Sequence, residues 1–329
     1  MHESRSSETR WKEWILSESA RSESTRSRSQ RHGDARLENP DVDPSLADQV
    51  GVAERRHTLN DGKKLPQIGM GTYPLDDAAA EVAVYEAANR GFRLFDTAVN
   101  YENETGVGRG IALAGLPRDQ VFVATKIPGR DQGGEALVRS SLEGSLHRLG
   151  LDHVDLYLIH WPNPKRDKYV ETYRTMLKLR DEGLVGSVGV SNFTPAHVDR
   201  LIEQTGEAPA VNQVELNPQY QQEALRAHHH EQRILIQAWA PLGRKTEILQ
   251  HEWLAEIAGQ VNRTPAQVAL RWEVQSGILP IPKSANPKRM AENLDVFGWE
   301  LDDQQMERIR LLHTGLSGSG FDPDEHEEM

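Results

Sequence analysis

Short apolar runs alternate with amphipathic helical patterns over residues 57–315, and this alternation constrains the fold more than any other feature of the chain. The apolar runs have the length and composition of buried strands and lie at 67–71, 93–95, 121–125, 154–159, 186–190, 210–214, 235–238 and 278–281. Helical patterns separate these runs, and strands that alternate with helices indicate parallel pairing through βαβ units. Eight units in roughly 250 residues predict an α/β protein with a closed (β/α)₈ fold, the TIM barrel.

The flanking segments differ from the barrel in composition. Residues 1–53 are rich in Ser, Arg and Glu and are predicted to be a disordered extension, because they cannot bury enough apolar surface to offset the loss of chain entropy. An Asp-Gly turn between two short strands at 57–65 predicts a β-hairpin that plugs the bottom of the barrel. The barrel is expected to span 54–318, and the acidic tail 319–329 is expected to be mobile.

An open, doubly wound sheet that binds a dinucleotide is the main alternative architecture. Its usual motif is G-x-G-x-x-G after the first strand. Gly69-Met-Gly71 stops after two glycines, and Gly106-Val-Gly108-Arg-Gly110 has the wrong spacing. The chain also lacks a G-x-x-x-x-G-K-[ST] phosphate loop. The barrel is therefore preferred.

Composition excludes several classes of function. The chain has no Cys, so thiolate nucleophiles, disulfides and thiolate metal sites are ruled out, and no metal site is predicted. A net charge of −12 disfavours a broad nucleic-acid surface. No apolar run of about 18 residues and no secretory signal pattern occur, so neither membrane association nor export is expected, and the cytoplasm is the expected location.

Polar and aromatic side chains follow the predicted strands, where a (β/α)₈ barrel builds its active site. Asp96 ends the second barrel strand and Tyr101 lies just beyond it, while Lys126 and His160 end the next two strands. Each has an ordinary interpretation, since a lone Lys after a strand is usually solvated and a lone His is usually structural. Together they suggest proton transfer: the Lys126 ammonium would lower the pKa of Tyr101, Asp96 would keep Lys126 charged, and His160 could bind a substrate oxygen.

Seven motifs, in order along residues 58–312, resemble the aldo-keto reductase superfamily, and among its branches the microbial 2,5-diketo-D-gluconate reductases. They are the stretch 91–111, Val-Ala-Thr-Lys126, Leu-Ile-His-Trp-Pro162, Gly-Val-Ser-Asn-Phe193, Asn-Gln-Val-Glu-Leu-Asn217, Ala-Trp-Ala-Pro-Leu-Gly243 and Ile-Pro-Lys-Ser284. The resemblance implies a barrel that binds NADPH and reduces carbonyls to alcohols. It also implies a catalytic tetrad of Asp96, Tyr101, Lys126 and His160, with Tyr101 as the general acid.

The resemblance also implies the binding residues. Ser191, Asn192 and Gln213 match residues that bind the nicotinamide carboxamide, and Trp239 matches an aromatic that stacks on the ring. Gly71 and Thr72 border the cofactor, and Leu242 and Gly243 match the loop over the pyrophosphate. Lys283, Ser284 and Arg289 match the group at the adenosine 2′-phosphate, which favours NADPH over NADH. Glu292 and Asn293 would lie near the adenine, and Tyr73, His160 and Trp161 would line the substrate pocket.

The leading hypothesis is thus an NADP-dependent oxidoreductase, of the alcohol dehydrogenase or carbonyl reductase type, that acts on small carbonyls such as methylglyoxal or keto-sugars such as 2,5-diketogluconate. A monomer is expected. Two alternatives stay open: a cofactor-binding regulatory subunit on the same fold, as in potassium-channel β subunits, and a phosphate-binding barrel isomerase that needs no nicotinamide.

Overall fold

The computed structural model describes residues 55–328, so the predicted disordered extension 1–53 lies outside the described residues. Eight parallel strands form one sheet in which each strand pairs with its neighbours in the chain. Backbone hydrogen bonds from Gly69 N to Pro280 O (3.0 Å) and from Gly71 N to Pro282 O (3.3 Å) join the first barrel strand to the last. The (β/α)₈ fold predicted from the sequence is confirmed.

The ends of the barrel strands lie within three residues of the ends of the predicted apolar runs. An antiparallel hairpin precedes them, with strands β1 and β2. The strands are β1 Arg56–Thr58, β2 Lys64–Pro66, β3 Met70–Gly71, β4 Leu94–Asp96, β5 Phe122–Ile127, β6 Val154–Ile159, β7 Val185–Ser191, β8 Val211–Glu215, β9 Leu235–Trp239 and β10 Leu279–Pro280.

Helices follow the barrel strands and pack around them, as the alternating pattern predicts. They are α1 Asp77–Asn89, α2 Glu104–Ala114, α3 Glu135–Leu149, α4 Tyr169–Asp181, α5 Pro195–Thr205, α6 Glu223–Glu231, α7 Glu252–Val261, α8 Pro265–Gln275, α9 Pro287–Leu294 and α10 Asp303–Arg310. None of the helices in residues 55–328 combines the length and the apolar composition that crossing a bilayer requires.

Local sequence signals set where several helices begin. Thr194 and Thr264 each cap a helix that has Pro at its first position, and Asp302 caps α10. In all three cases the side chain three residues later accepts a hydrogen bond from the backbone N–H of the cap, which completes a capping box. These bonds satisfy N–H groups that the first helical turn leaves without partners.

The hairpin closes the bottom of the barrel, as predicted. Leu59 and Leu65, from the turn and the second hairpin strand, belong to the same buried cluster as barrel-lining residues such as Leu94, Leu156 and Leu279. A larger apolar layer fills the space between strands and helices. With the bottom packed, the open end of the barrel is the one at which the strands terminate, and that end carries the candidate site.

Candidate active site

Four side chains that the sequence predicts as catalytic lie together at the carboxyl-terminal end of the barrel. Asp96 ends β4, Lys126 lies near the end of β5, and His160 directly follows β6. A one-turn 3₁₀ helix, Val99–Tyr101, follows β4 and carries Tyr101 to the same place. The rings of Tyr101 and His160 meet edge to face, with centroids 5.6 Å apart.

Lys126 binds three acceptors in the barrel interior. Its ammonium donates to Asp96 Oδ1 at 2.6 Å, to the Thr97 carbonyl at 2.9 Å and to the Tyr101 hydroxyl oxygen at 3.3 Å. The Lys126 side chain is fully buried and that of Asp96 is 2% exposed, so little water screens the pair. Burial lowers the pKa of Lys126, but the charges and hydrogen bonds of Asp96 and Tyr101 outweigh it and raise the pKa above its ordinary value.

The pKa of Tyr101 is raised above its ordinary value, although Lys126 acts on it in the direction that the sequence predicted. Burial raises this pKa, and the charge and hydrogen bond of Lys126 only partly offset the burial. The Asp96 and Glu328 carboxylates raise it further. The predicted lowering effect of Lys126 is therefore confirmed, but burial outweighs it, and the depth of the site was not visible in the sequence. The phenol keeps its proton at neutral pH, as a proton donor must.

Gln213 binds Asp96 directly. Its side-chain nitrogen donates to Asp96 Oδ2 at 2.7 Å and to Gln237 Oε1 at 2.9 Å. All three side chains are buried. The sequence analysis matched Gln213 to the nicotinamide site, and that stays a prediction. The structure shows in addition that Gln213 binds the carboxylate that holds Lys126. Gln237 is a member of this network that the sequence analysis missed.

Ser191, Asn192 and Trp239 form a hydrogen-bonded wall beside these groups. The Trp239 indole N–H donates to Asn192 Oδ1 at 2.8 Å. The Asn192 amide nitrogen donates to the His160 carbonyl and to Ser191 Oγ, both at 3.0 Å. Asn192 has a φ of 62°, in the left-handed region that Asn adopts more readily than most residues. These bonds fix the plane of the Trp239 ring.

A cavity of about 600 Å³ opens over the site. Its walls include most of the predicted site residues: Gly71, Thr72, Tyr73, Asp96, Tyr101, His160, Trp161, Ser191, Asn192, Gln213, Trp239, Leu242 and Lys283. They also include residues that the sequence analysis did not assign: Glu215, Arg244, Lys245, Gly318, Ser319 and Phe321. Lys126 lies behind this surface, where it contacts Tyr101 from the protein side.

The remaining predicted cofactor residues lie away from this cavity wall. Ser284, Arg289, Glu292 and Asn293 lie in or just before α9, and Gly243 lies in the loop after β9. Lys283 and Arg289 are exposed, and neither forms an ion pair within residues 55–328. Two unpaired cations beside the start of a helix suit an anionic group.

Comparison with known proteins identifies the fold's family. The model of the aldo/keto reductase family matches residues 67–313. The chain belongs to the aldo/keto reductase family.

Individual relatives of this aldo/keto reductase are similar over nearly their whole length. The chain is 50% identical to 2,5-diketo-D-gluconic acid reductase B of Corynebacterium sp. (strain SHS752001) over 272 residues, which are 83% of this chain and 98% of the relative. It is 42% identical to methylglyoxal reductase DkgA of Yersinia pestis over 81% of this chain and 95% of the relative. A Bombyx mori aldo-keto reductase crystallised with NADP matches with a TM-score of 0.75 and 34% identity, over 80% of this chain and 94% of that chain. The resemblance stated from the motifs is confirmed.

The C-terminal segment of this aldo/keto reductase lies across the mouth of the barrel. The Glu215 carboxylate, at the end of β8, accepts from Gly318 N at 2.9 Å and from the hydroxyls of Ser317 and Ser319, each at 2.6 Å. Farther along, Phe321 packs edge to face on Trp161, with ring centroids 5.6 Å apart. The sequence does not reveal this contact, since the partners of Glu215 lie about 100 positions away. The predicted mobility of this tail stays a prediction.

Proposed function

We propose that the chain is an NADPH-dependent carbonyl reductase in which Tyr101 donates the proton to the substrate oxygen. The observation that carries this proposal is the buried chain of contacts from Asp96 through Lys126 to Tyr101, whose last member faces a cavity. A protonated phenol backed by a fixed ammonium can release its proton to a developing alkoxide, because the ammonium then stabilises the phenolate that remains.

The residues of the cavity and of the start of α9 fit nicotinamide adenine dinucleotide phosphate. Trp239 offers an aromatic face of fixed orientation, and Ser191 and Asn192 place polar groups at its edge. At the other end, Lys283 and Arg289 would hold the 2′-phosphate, whose charge needs cationic partners. The similar Bombyx mori protein was crystallised with NADP. When bound, NADPH supplies a hydride to the carbonyl carbon.

The chain's own residues supply the proton and position the substrate. Tyr101 and His160 both face the cavity, so a carbonyl oxygen between them can accept from either. Asp96 keeps Lys126 charged through their 2.6 Å contact. Positioned proton transfer of this kind contributes about 10² to 10⁴ in rate, and alignment and stabilisation of the alkoxide would supply more.

The walls of the cavity suggest small carbonyl substrates. Tyr73, Trp161 and Phe321 supply aromatic surface, with the phenol of Tyr101 at the base. The relatives named above act, by their names, on 2,5-diketo-D-gluconic acid and methylglyoxal, which are both compact polycarbonyl compounds. We infer that this chain also reduces small carbonyl compounds.

Consumption of NADPH tests the proposal directly. Purified protein would be assayed by loss of NADPH absorbance with methylglyoxal, 2,5-diketogluconate, sugar aldehydes and aromatic aldehydes. Turnover of at least one of them is expected. Saturable binding of NADPH without any turnover would favour a cofactor-binding regulatory subunit instead, and absence of NADPH binding would remove the nicotinamide from the account.

A further inference from the structure

A carboxylate of the chain itself lies in the mouth of the barrel beside the candidate catalytic residues. Glu328, in the C-terminal tail, has one oxygen 2.7 Å from Asn100 Nδ2 and 2.7 Å from His160 Nδ1. Its other oxygen accepts from the Gly129 backbone N–H at 3.3 Å. The three nitrogens come from loops after β4, β5 and β6, and we call this group of Asn100, Gly129 and His160 the carboxylate cradle.

The cradle fixes both the side chain and the backbone of its occupant. The Glu328 N–H donates to Asn163 Oδ1 at 2.6 Å. Gly129 lies so close to the tail that a Cβ on it would stand 1.9 Å from the Glu328 carbonyl oxygen. Only a residue without a side chain allows this approach, so the loop after β5 is shaped to receive the tail.

The orientation of Asn100 makes the cradle a donor surface. Arg130 donates to Asn100 Oδ1, which leaves the amide nitrogen to face Glu328. The guanidinium also places positive charge behind the amide. Side chains of His160 and Glu328 are 11% and 12% exposed, so an anion held here exchanges most of its water for N–H donors.

The fit of Glu328 in the cradle is incomplete at His160. Its oxygen approaches Nδ1 outside the direction of a hydrogen bond, and this buried nitrogen has no aligned partner in the part of the chain that the structure describes. A freely diffusing carboxylate, which no chain restrains, could align with all three nitrogens at once.

We propose that the cradle is a carboxylate subsite of the substrate pocket and that Glu328 is its internal occupant, which makes Glu328 a specificity-determining residue. With Glu328 in place, a substrate that carries a carboxylate next to its carbonyl finds the donors taken and meets a like charge, whereas a neutral carbonyl compound does not. The inference rests on the proposed carbonyl reduction. It predicts that the intact enzyme reduces a carbonyl beside a neutral group faster than a carbonyl beside a carboxylate.

Two substrates of nearly equal size test the inference. Methylglyoxal is neutral, and glyoxylate replaces its acetyl group with a carboxylate. In Glu328→Ala, the ratio of kcat/KM for glyoxylate to kcat/KM for methylglyoxal should rise by about tenfold or more, which corresponds to about 1.4 kcal/mol. Glu327→Ala is the matched control, because it removes the same charge one residue away. Within residues 55–328, the Glu327 side chain accepts only from Lys165 N, at 2.7 Å. An unchanged ratio in Glu328→Ala, or an equal rise in both variants, would overturn the inference.

A binding measurement separates this inference from the proposed function. Acetate would be titrated calorimetrically into the NADPH-loaded wild type, Glu328→Ala and Glu327→Ala. We expect acetate to bind Glu328→Ala about tenfold or more tightly than it binds the other two proteins. Equal acetate affinities of the three proteins would rule out the carboxylate subsite even if turnover is normal. A tighter affinity without turnover would support the subsite and count against the reductase.

Discussion

Gln213 donates its side-chain amide to Asp96 Oδ2 at 2.7 Å, across the interior of the barrel from β8 to β4. Lys126 binds the other oxygen of the same carboxylate at 2.6 Å. Asp96 is therefore held on both sides, and Gln213 supports the charge that fixes Lys126. A residue whose family match points to the cofactor thus also contacts the carboxylate that binds Lys126.

Replacing Gln213 with Met should destabilise the protein. The substitution keeps the volume but leaves a buried carboxylate oxygen without a donor, which costs about 1 to 3 kcal/mol. Urea unfolding would measure the loss. Gln120→Met is the control, because Gln120 is exposed and a change there should stay within about 0.5 kcal/mol. Equal stabilities of the two variants would show that the Gln213 contact contributes nothing.

Replacing Arg289 with Ala should weaken NADPH binding far more than NADH binding. Arg289 is exposed and makes no ion pair within residues 55–328, so its loss disturbs little of the protein. A charge-assisted bond to the 2′-phosphate contributes about 1.5 to 3 kcal/mol, so a loss of about tenfold or more in NADPH affinity is expected. Fluorescence titration with both cofactors measures it. Equal losses for NADPH and NADH would remove Arg289 from the phosphate site.

Glu273 should make stability fall as pH rises. Burial raises its pKa well above the ordinary 4.5, and the charge of Arg226 lowers it only partly. Neither carboxylate oxygen has a hydrogen-bond partner among the described residues. Above the ordinary carboxyl pKa, the unfolded state releases this proton while the native state keeps it. The contribution of Glu273 to the free energy of unfolding is therefore complete at acid pH and declines as pH rises toward the raised native pKa.

The variant Glu273→Gln removes this ionisation while keeping the shape of the side chain. The melting temperature of Glu273→Gln, compared with that of the wild type, should increase progressively as the pH rises above the ordinary carboxyl pKa. Thermal unfolding followed by circular dichroism across this range is the measurement. Parallel curves for the two proteins would mean that Glu273 does not titrate differently in the native and unfolded states.

Glu215→Gln should release the C-terminal tail. Each oxygen of Glu215 accepts from residues 317–319, and an amide would turn an NH₂ group toward some of those donors. Hydrogen exchange over 317–328 should become about tenfold faster or more, because local opening becomes easier. Glu231→Gln, at the exposed end of α6, should leave this exchange unchanged. Unaltered protection in Glu215→Gln would show that Glu215 does not hold the tail in place.

Much of the fold and the centre of the site could be predicted because both depend on local signals. Strand composition, helix caps and the Asp-Gly turn are read over a few residues, and a parallel barrel brings every strand end to one rim. Asp96, Lys126 and His160 were found by that rule alone. Tyr101 lies only five positions beyond Asp96, so it came with them.

What the sequence could not show depends on depth and on contacts between distant parts of the chain. The direction of the Tyr101 pKa shift is decided by burial, which outweighs a neighbouring ammonium that the sequence does reveal. Glu328 meets Asn100 across 228 positions, and no local pattern specifies such a pairing. The small residues of the Gly-Ser run at 317–320 indicate only weakly that this segment packs closely against another part of the protein.

Transfer of label from the cofactor would test both the hydride transfer and the role of Tyr101 in one experiment. NADPH carrying deuterium at C4 of the nicotinamide would be incubated with methylglyoxal and the wild type or Tyr101→Phe, and the alcohol would be analysed by NMR and mass spectrometry. The wild type should place deuterium on the new alcohol carbon. Tyr101→Phe should bind NADPH with nearly unchanged affinity and form labelled product at least about 10²-fold more slowly. Labelled product from Tyr101→Phe at the wild-type rate would show that Tyr101 is not the proton donor.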